Sequence, residues 1–409
     1  MSDTAPPAPP APPTGAAIYI ALVQFLFVTC WTIYVIFLPR LLESAGLPVA
    51  WAPWILILDQ LVFMAADVAS GVFTDRVQGA LGRIGPWIVG CTVLSCIAFL
   101  LLPHAVLLGG AAPILALGLV LVWTATSSAL RAPPFALLGK HAARPALPWL
   151  NSLMLFGLAA GGAAAPYLGV VLKNTDPRLP FALSSLTLLA VTAGIVYLER
   201  SLVRRPATVP APPQVPRVLG AHHAAWMLAI LLLAAAFQTH FSINTAAQYL
   251  RFAKPADLQW LMPLFWVGFS LAMLPGASLC KRLGSLPVMA GAALVGACSA
   301  LLAASAGSLP LLIAAQLLAG VAWGSMLVAI FSSAAELGRS GREGLALGTM
   351  FAMLALATLG RIGVVLAGMP KNAMLAPALA WLPVTLWVAG GLLIGVLALR
   401  PRAPPHGPA

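Results

Sequence analysis

Twelve apolar stretches, each long enough to cross a lipid bilayer, follow one another along the chain. A membrane-spanning helix needs about 20 predominantly apolar residues. The first six stretches cover residues 17–38, 51–73, 86–103, 111–130, 149–171 and 181–198. The other six cover residues 224–246, 258–279, 286–305, 309–331, 345–368 and 378–399. The pattern predicts an all-α integral membrane protein with twelve transmembrane helices.

A polar, proline-rich segment at residues 199–223 separates the two sets of six stretches. This arrangement predicts two pseudo-symmetric six-helix bundles, at 17–198 and 224–399, joined by a linker. Residues 1–16 and 400–409 are predicted to be tails. The first tail is rich in proline and alanine, a composition typical of disordered segments.

The composition excludes several classes of protein. Hydrophobic residues make up 61% of the chain and charged residues only 8%, whereas soluble domains average roughly 45–50% and about 25%. The sequence contains no Walker A, HExxH or GxSxG motif. The five cysteines form no CxxC pair, so they predict no metal site. We therefore expect neither an enzyme nor an ATP-driven pump, and no cofactor.

The distribution of basic residues predicts the orientation of the chain. The sequence has 22 Lys and Arg against 10 Asp and Glu, and basic residues mark the cytoplasmic loops of membrane proteins. With a cytoplasmic N-terminus, fifteen basic residues fall in cytoplasmic segments and six in external loops. Both termini and the linker are thus predicted to be cytoplasmic, in a plasma membrane such as the bacterial inner membrane. The net charge of +12 then needs no nucleic acid partner.

Three charged residues lie within the apolar stretches: Asp59, Asp67 and Arg361. Each such charge costs about 2.5–3.5 kcal/mol on insertion scales, and intramembrane charges mark functional sites by default. Asp59 and Asp67 are candidates for ion coupling. The alternative is that either carboxylate only fixes the packing of helices.

Asp59 and Arg361 are predicted to lie at a similar depth. At a rise of about 1.5 Å per residue, Asp59 lies about 12 Å and Arg361 about 10 Å from the external surface. If the second and eleventh helices are neighbours, these two residues could form an ion pair that closes the external side. We expect them to be an outer gate.

Further polar residues interrupt the apolar stretches, and their density in the seventh stretch indicates a wet cavity. The candidate substrate-binding residues are Gln24, Tyr34, Gln238, His240, Asn244, Gln316 and Trp323. His240 is also a candidate proton carrier, although an intramembrane histidine can equally be a hydrogen-bonded structural residue.

The loop after the second stretch resembles a signature of the major facilitator superfamily. It carries a glycine followed by Asp-Arg and then Gly-Arg, at Gly71, Asp75, Arg76, Gly82 and Arg83. Its long spacing, followed by Pro-Trp, is similar to that of the glycoside–pentoside–hexuronide cation symporters and the related sucrose transporters. Asp67 matches the intramembrane aspartate of that group, and Arg131 begins a similar proline-containing exit from the fourth helix.

The resemblance implies a midplane cavity between two bundles, rocking-type alternating access and contact between the second and eleventh helices. The signature residues and Arg131 would form the cytoplasmic gate. Sodium-coupled members carry a second carboxylate one turn before the matched aspartate, where this chain has Phe63. Coupling to protons through Asp67, Asp59 or His240 is therefore expected rather than coupling to sodium.

The expected function is secondary active transport of a small organic solute by a monomer in the lipid bilayer. An efflux antiporter for drugs or metabolites is the main alternative. A non-transporting sensor with the same fold is the other alternative.

Overall fold

The computed structural model describes residues 12–81, 83–204, 220–338 and 341–399. Twelve of its helical segments are long and apolar enough to cross a membrane, and they are designated spans 1–12 in chain order. Spans 1–6 cover Thr14–Ser44, Val49–Val77, Gly85–Leu107, Gly109–His141, Leu147–Val171 and Arg178–Val203. Spans 7–12 cover Ala221–Tyr249, Pro255–Leu283, Ser285–Ser305, Leu309–Leu337, Glu343–Leu366 and Ala376–Leu399. The predicted twelve-helix, all-α architecture is confirmed.

Several spans contain more than one helical element. The regular helix of span 2 runs over Ala52–Leu81 after a 3₁₀ turn at Val49–Trp51. Span 4 consists of Ala112–Ser127, a 3₁₀ turn at Ser128–Leu130 and a second helix at Ala132–His141. Span 7 consists of Ala221–Phe237, a π-helix at Gln238–Asn244 and Thr245–Tyr249. Shorter breaks divide span 6 after Ala193 and span 8 after Leu261.

The helices extend beyond the apolar stretches that predict them. Span 2 remains helical past Asp75 and Arg76, which the sequence places in a loop, and span 6 continues through Glu199. The apolar stretch marks only the part of a helix in hydrocarbon, whereas backbone hydrogen bonding continues into the polar interface. Residues 1–11, 205–219 and 400–409, which carry most of the predicted tails and linker, lie outside the described residues.

The end of the bundle at which span 1 begins is called the basic end, because it carries Arg76, Arg83, Lys140, Arg200 and Lys281 at or next to the ends of described spans. Spans 1–6 are called the first half of the protein and spans 7–12 the second half. In the first half, Trp31 of span 1 stacks on Trp123 of span 4, with ring centroids 5.5 Å apart. Phe63 of span 2 meets Trp31 edge-on at 5.3 Å. One aromatic cluster thus joins spans 1, 2 and 4.

The second half repeats this arrangement. Phe237 of span 7 stacks on Trp323 of span 10 at 4.4 Å, and Phe265 of span 8 lies 5.6 Å from Phe237. Spans 7, 8 and 10 therefore correspond to spans 1, 2 and 4. His240 follows Phe237 by three residues, as Tyr34 follows Trp31, so these two polar residues occupy equivalent positions.

Glycines allow close contact between helices within each half. A Cβ atom at Gly157 of span 5 would overlap the carbonyl oxygen of Ala21 in span 1. A Cβ atom at Gly320 of span 10 would overlap the carbonyl oxygen of Phe265 in span 8. Such close approach of small residues is the usual way in which helices associate in membranes.

We expect Gly320→Ala to lower the free energy of unfolding by about 2 kcal/mol, because the added methyl group forces spans 8 and 10 apart. Gly395→Ala in span 12 is the matched control, since a Cβ atom there meets nothing within 4 Å. Thermal unfolding of the two purified variants measures the difference. Equal stability of the variants would contradict the close packing of spans 8 and 10.

Spans 2 and 11 pack against each other across the two halves, as the family resemblance implies. Gly71 faces Gly344, and Gly348 faces the backbone of Asp67, with no room for a Cβ atom at any of these three glycines. This contact brings Asp67 and Asp75 of span 2 to the interface between the halves.

Candidate functional site

Asp67 forms a buried ion pair with Arg131 near the middle of the bundle. The Asp67 side chain is fully buried, and its Oδ2 atom lies 3.4 Å from Nη2 of Arg131. Neither carboxylate oxygen of Asp67 accepts a hydrogen bond from the described residues. The guanidinium of Arg131 is therefore the main compensation for the charge of Asp67.

The position of Arg131 follows from a break in span 4. Pro134 has no N–H and cannot donate to the carbonyl of Leu130, four residues earlier. Gln24 of span 1 replaces that bond, with Nε2 donating to the Leu130 oxygen at 2.7 Å. Gln24, predicted to face substrate, instead satisfies this carbonyl group. The two helices of span 4 meet at Arg131, whose side chain projects toward span 2.

Arg131 also contacts an aromatic ring from each half of the protein. Its guanidinium carbon lies 4.5 Å from the ring centroid of Phe63 in span 2 and 5.0 Å from that of Phe351 in span 11. Phe351 packs on Phe331 of span 10 at 5.5 Å. A change in the position of the guanidinium would therefore act directly on the interface between the halves.

Asp59 has a different environment, although it is on the same helix and equally buried. The hydroxyl of Tyr34 donates to Oδ2 and the hydroxyl of Thr124 donates to Oδ1, both at 2.8 Å. This network connects spans 1, 2 and 4 within the first half. Tyr34, predicted to line the substrate cavity, is fully buried here.

The ion pair predicted between Asp59 and Arg361 is not formed in this structure. Both oxygens of Asp59 are directed into the first half toward Tyr34 and Thr124. The buried Nε atom of Arg361 makes no hydrogen bond to any described residue. The depth of a residue fixes its position along the helix axis but not the direction in which its side chain points around that axis.

The π-helix of span 7 carries three of the predicted cavity residues. Such π-helical insertions are rare and are frequent at functional sites. His240 Nε2 donates to Oε1 of Gln316 in span 10 at 3.1 Å, since that oxygen can only accept. Thr245 donates to the same oxygen at 3.2 Å, and Gln316 donates to Gln248 at 3.3 Å. His240 and Gln316 thus belong to one buried network between spans 7 and 10.

The other two predicted residues of the π-helix point elsewhere. Gln238 donates to the hydroxyl of Thr358 in span 11 at 2.8 Å. Asn244 donates to the carbonyl of Leu379 in span 12 at 2.9 Å. It lines, with Gln248, a cavity of about 200 Å³ whose residues all belong to the second half. Asn244 therefore lies at the contact with span 12, whereas Gln238 lies at the contact with span 11. Trp323, also predicted to line the cavity, is buried in the aromatic cluster.

A charged network joins the halves at the basic end. The carboxylate of Asp75 accepts hydrogen bonds at 2.9 Å from the backbone N–H groups of Gly344 and Leu345, at the beginning of span 11. Lys140, in the last turn of span 4, lies 3.2 Å from Asp75 and 4.0 Å from Glu343. A carboxylate at a helix N-terminus is favoured by the partial positive charge of the helix dipole.

The arginines expected to form the cytoplasmic gate take no part in this network. Arg76 and Arg83 are exposed, and Gly82 lies outside the described residues. Arg131 pairs with Asp67 rather than joining Asp75, because the break in span 4 places it one layer deeper in the bundle. Lys140 occupies the position beside Asp75 instead.

Asp75→Ala is expected to open the basic end, because span 11 loses its capping carboxylate and Lys140 loses one partner. A cysteine replacing Ser332, which accepts a hydrogen bond from Asn151 across the halves, reports the change. Its labelling rate should rise several-fold in Asp75→Ala. Asp176→Ala is the control, since Asp176 bonds only within its own loop, to the N–H of Arg178. Unchanged labelling would show that Asp75 does not hold this end closed.

Comparison with solved structures identifies the architecture. The human organic anion transporter MFSD10 (TETRAN) superposes with a TM-score of 0.73 at 15% identity, over 94% of this chain and 100% of that one. A bacterial homologue of the iron transporter ferroportin, in an outward-facing state, gives a TM-score of 0.75 at 15% identity, with the same coverage. The chain has the major facilitator fold.

At the level of sequence, no family model and no curated protein matches the chain. Neither structural neighbour is described as a glycoside–pentoside–hexuronide symporter. The resemblance to that group therefore remains a prediction. In this major facilitator fold, the interface between the two halves is the place where the Asp67–Arg131 pair lies.

Sequence reasoning missed three residues of the site: Lys140, Glu343 and Phe351. Lys140 stands at the end of an apolar stretch beyond the expected helix, and Glu343 is the first residue of span 11. Both are ordinary positions for solvated charges, so only the approach of spans 4 and 11 reveals them. Phe351 gave no signal, because one phenylalanine among apolar neighbours is typical of any membrane helix.

Proposed function

We propose that the protein is a secondary active transporter that moves a small organic solute by alternating access of its two halves, coupled to protons through Asp67. The observation that carries the proposal is the buried Asp67–Arg131 pair at the interface between the halves. Intramembrane ionisable residues at such a place mark ion pathways and proton relays.

The pair can connect proton binding to motion of the halves. Ionised Asp67 holds the guanidinium of Arg131 between Phe63 and Phe351. Protonation removes the negative charge and with it the attraction that fixes Arg131. The guanidinium is then free to leave Phe351 of span 11, which weakens one contact between the halves.

Movement of the halves must also break the contacts at the basic end. Asp75 bonds to the beginning of span 11, and Phe135 packs on Phe331 at 4.4 Å. At the opposite end, Tyr167 of span 5 packs on Trp260 of span 8 at 5.2 Å. Alternating access requires that contacts at one end form when those at the other end are lost.

Asp59 and His240 are the alternative coupling residues, and their partners support a structural role. Asp59 receives two hydroxyl donors from within the first half. His240 is bonded within the second half. Neither network crosses between the halves, so a change in its protonation has no direct path to the interface.

Uptake into proteoliposomes tests the proposal. Purified protein is first screened for thermal stabilisation by sugars, organic acids and amino compounds, and the stabilising solutes are then offered in labelled form. We expect accumulation when the compartments differ in pH and none when they differ only in sodium. Solute-driven exchange without accumulation in either gradient would contradict proton coupling. Absence of any flux across the panel would contradict transport.

A further inference from the structure

Arg361 in span 11 has no anionic partner among the described residues. Its Nε atom is buried and has no hydrogen-bond partner among the described residues. No acidic side chain of the described residues lies within 4.0 Å of it. The side chain as a whole is only partly buried. Charges within membrane-spanning helices are nonetheless rare, and they are normally paired or face a water-filled cavity.

The acidic residues that the structure describes have other partners or are exposed. Of the ten acidic residues, only Asp3 lies outside the described part. Asp59, Asp67, Asp75 and Glu343 belong to the networks above, and Glu199 accepts hydrogen bonds from the N–H groups of Ile84 and Gly85. Asp176 and Asp257 bond to their own loops, and Glu43 and Glu336 are exposed. None of these nine carboxylates pairs with Arg361 in this structure.

Arg361 lies on the face of span 11 that looks toward the other functional residues. At about 100° per residue, Thr358 lies about 60° and Phe351 about 80° around the helix from Arg361. The three residues therefore fall within one side of span 11. Thr358 accepts a hydrogen bond from Gln238 of the π-helix, and Phe351 contacts Arg131. Ten residues separate Phe351 from Arg361, or about 15 Å along the axis.

Two guanidinium groups therefore lie along this side of span 11 at different depths. One belongs to Arg131 of span 4, which contacts Phe351, and the other to Arg361 itself. Arg131 is neutralised by Asp67, whereas Arg361, nearer the opposite end, is not neutralised by any described residue. Polar groups that can orient a ligand, the amide of Gln238 and the hydroxyl of Thr358, lie within one turn of Arg361. A guanidinium matches the geometry of a carboxylate or phosphate with two parallel hydrogen bonds.

From this arrangement we propose that Arg361 binds the anionic group of the transported solute, and that the solute is a small organic acid. The proposal names the substrate class of the transporter and so rests on the proposed function. The solute supplies the negative charge that the described residues lack. Gln238 and Thr358 contact the part of the solute next to its acidic group.

The first test measures the local charge without any transported solute. Thr358→Cys is placed in the full chain with all five native cysteines replaced by alanine. Its modification rates are compared for methanethiosulfonate reagents that carry a sulfonate or a trimethylammonium group. With Arg361 present, the sulfonate reagent should react faster than the trimethylammonium reagent. Arg361→Gln should reduce that preference by about tenfold or more, because side chains three residues apart on a helix are only about 5–6 Å from each other at Cβ.

Arg40→Gln is the matched control and should leave the preference unchanged. Arg40 is an exposed arginine near the end of span 1 that, like Arg361, lies away from the basic end. An equal preference in Arg361→Gln would overturn the proposal. A cysteine at position 358 that reacts with neither reagent would overturn it as well, because an anion arriving from water must reach this face.

The second test separates the substrate class from transport itself. Proteoliposomes and protein-free liposomes are offered pairs of carboxylic acids and the corresponding amides that cross a bare bilayer slowly, beginning with succinate and succinamide. Flux is taken as the excess in the proteoliposomes. We expect flux of acids only, with a loss of about tenfold or more in Arg361→Gln. Flux of amides at the same rate as acids would overturn the substrate class while transport stands. Absence of all flux would contradict the proposed transport, whereas the modification rates would still decide whether Arg361 forms an anion site.

Discussion

Replacing Asp67 with asparagine is expected to abolish accumulation of solute driven by a pH gradient. A pH difference of one unit supplies about 1.4 kcal/mol for each proton, which corresponds to about tenfold accumulation. The asparagine side chain cannot bind or release a proton, so the variant should equilibrate solute without concentrating it. Exchange down a solute gradient should continue, because the neutral amide resembles protonated Asp67. Labelled-solute uptake and exchange in proteoliposomes measure both quantities.

Asp59→Asn is the matched control for that experiment. Asp59 is on the same helix and equally buried, yet its oxygens accept from the hydroxyls of Tyr34 and Thr124. An amide can preserve those bonds, because a hydroxyl can either donate or accept. We expect Asp59→Asn to retain gradient-driven accumulation. Loss of accumulation in Asp59→Asn together with its retention in Asp67→Asn would reverse the assignment.

Removing Arg131 is expected to destabilise the protein strongly. Arg131→Gln leaves the carboxylate of Asp67 buried with no cation and no hydrogen-bond donor among the described residues. Loss of one partner of a buried ion pair costs about 3–5 kcal/mol. The free energy of unfolding of the purified variants, in a detergent mixture, measures this loss. Arg76→Gln, which alters an exposed arginine of span 2, should have little effect.

The double variant decides whether the loss comes from the pair. Adding Asp67→Asn to Arg131→Gln removes the uncompensated carboxylate, so the double variant should be more stable than Arg131→Gln alone. Additive losses would mean that Arg131 stabilises the protein through Phe63 and Phe351 rather than through Asp67, because independent contributions add and coupled ones do not.

The arrangement of helices could be predicted from the sequence because the bilayer imposes it. Hydrocarbon about 30 Å thick requires about 20 apolar residues for each span, and the twelve stretches match twelve spans. The ends of the helices could not be predicted in the same way. Asp75 and Glu199 lie on helices beyond the apolar stretches, where a polar sequence is compatible with either helix or loop.

The residues of the site were easier to predict than their partners. The cost of a charge in hydrocarbon pointed to Asp59, Asp67 and Arg361, because these three lie within the apolar stretches. Their pairing depends on the rotation of each helix about its axis, which a depth argument does not contain, and the expected Asp59–Arg361 pair is absent from this structure. Arg131 stands at the edge of an apolar stretch, so only the break caused by the prolines of span 4 brings it to Asp67.

Proton movement that accompanies solute transport tests the role of Asp67 most directly. Proteoliposomes with the membrane potential held at zero and a pH-sensitive dye inside receive a solute that the wild-type protein transports. We expect the wild-type protein and Asp59→Asn to acidify the interior as solute enters. Asp67→Asn should transport solute with no change in internal pH. Acidification by Asp67→Asn at the wild-type ratio of protons to solute would contradict the assignment of Asp67 as the coupling residue.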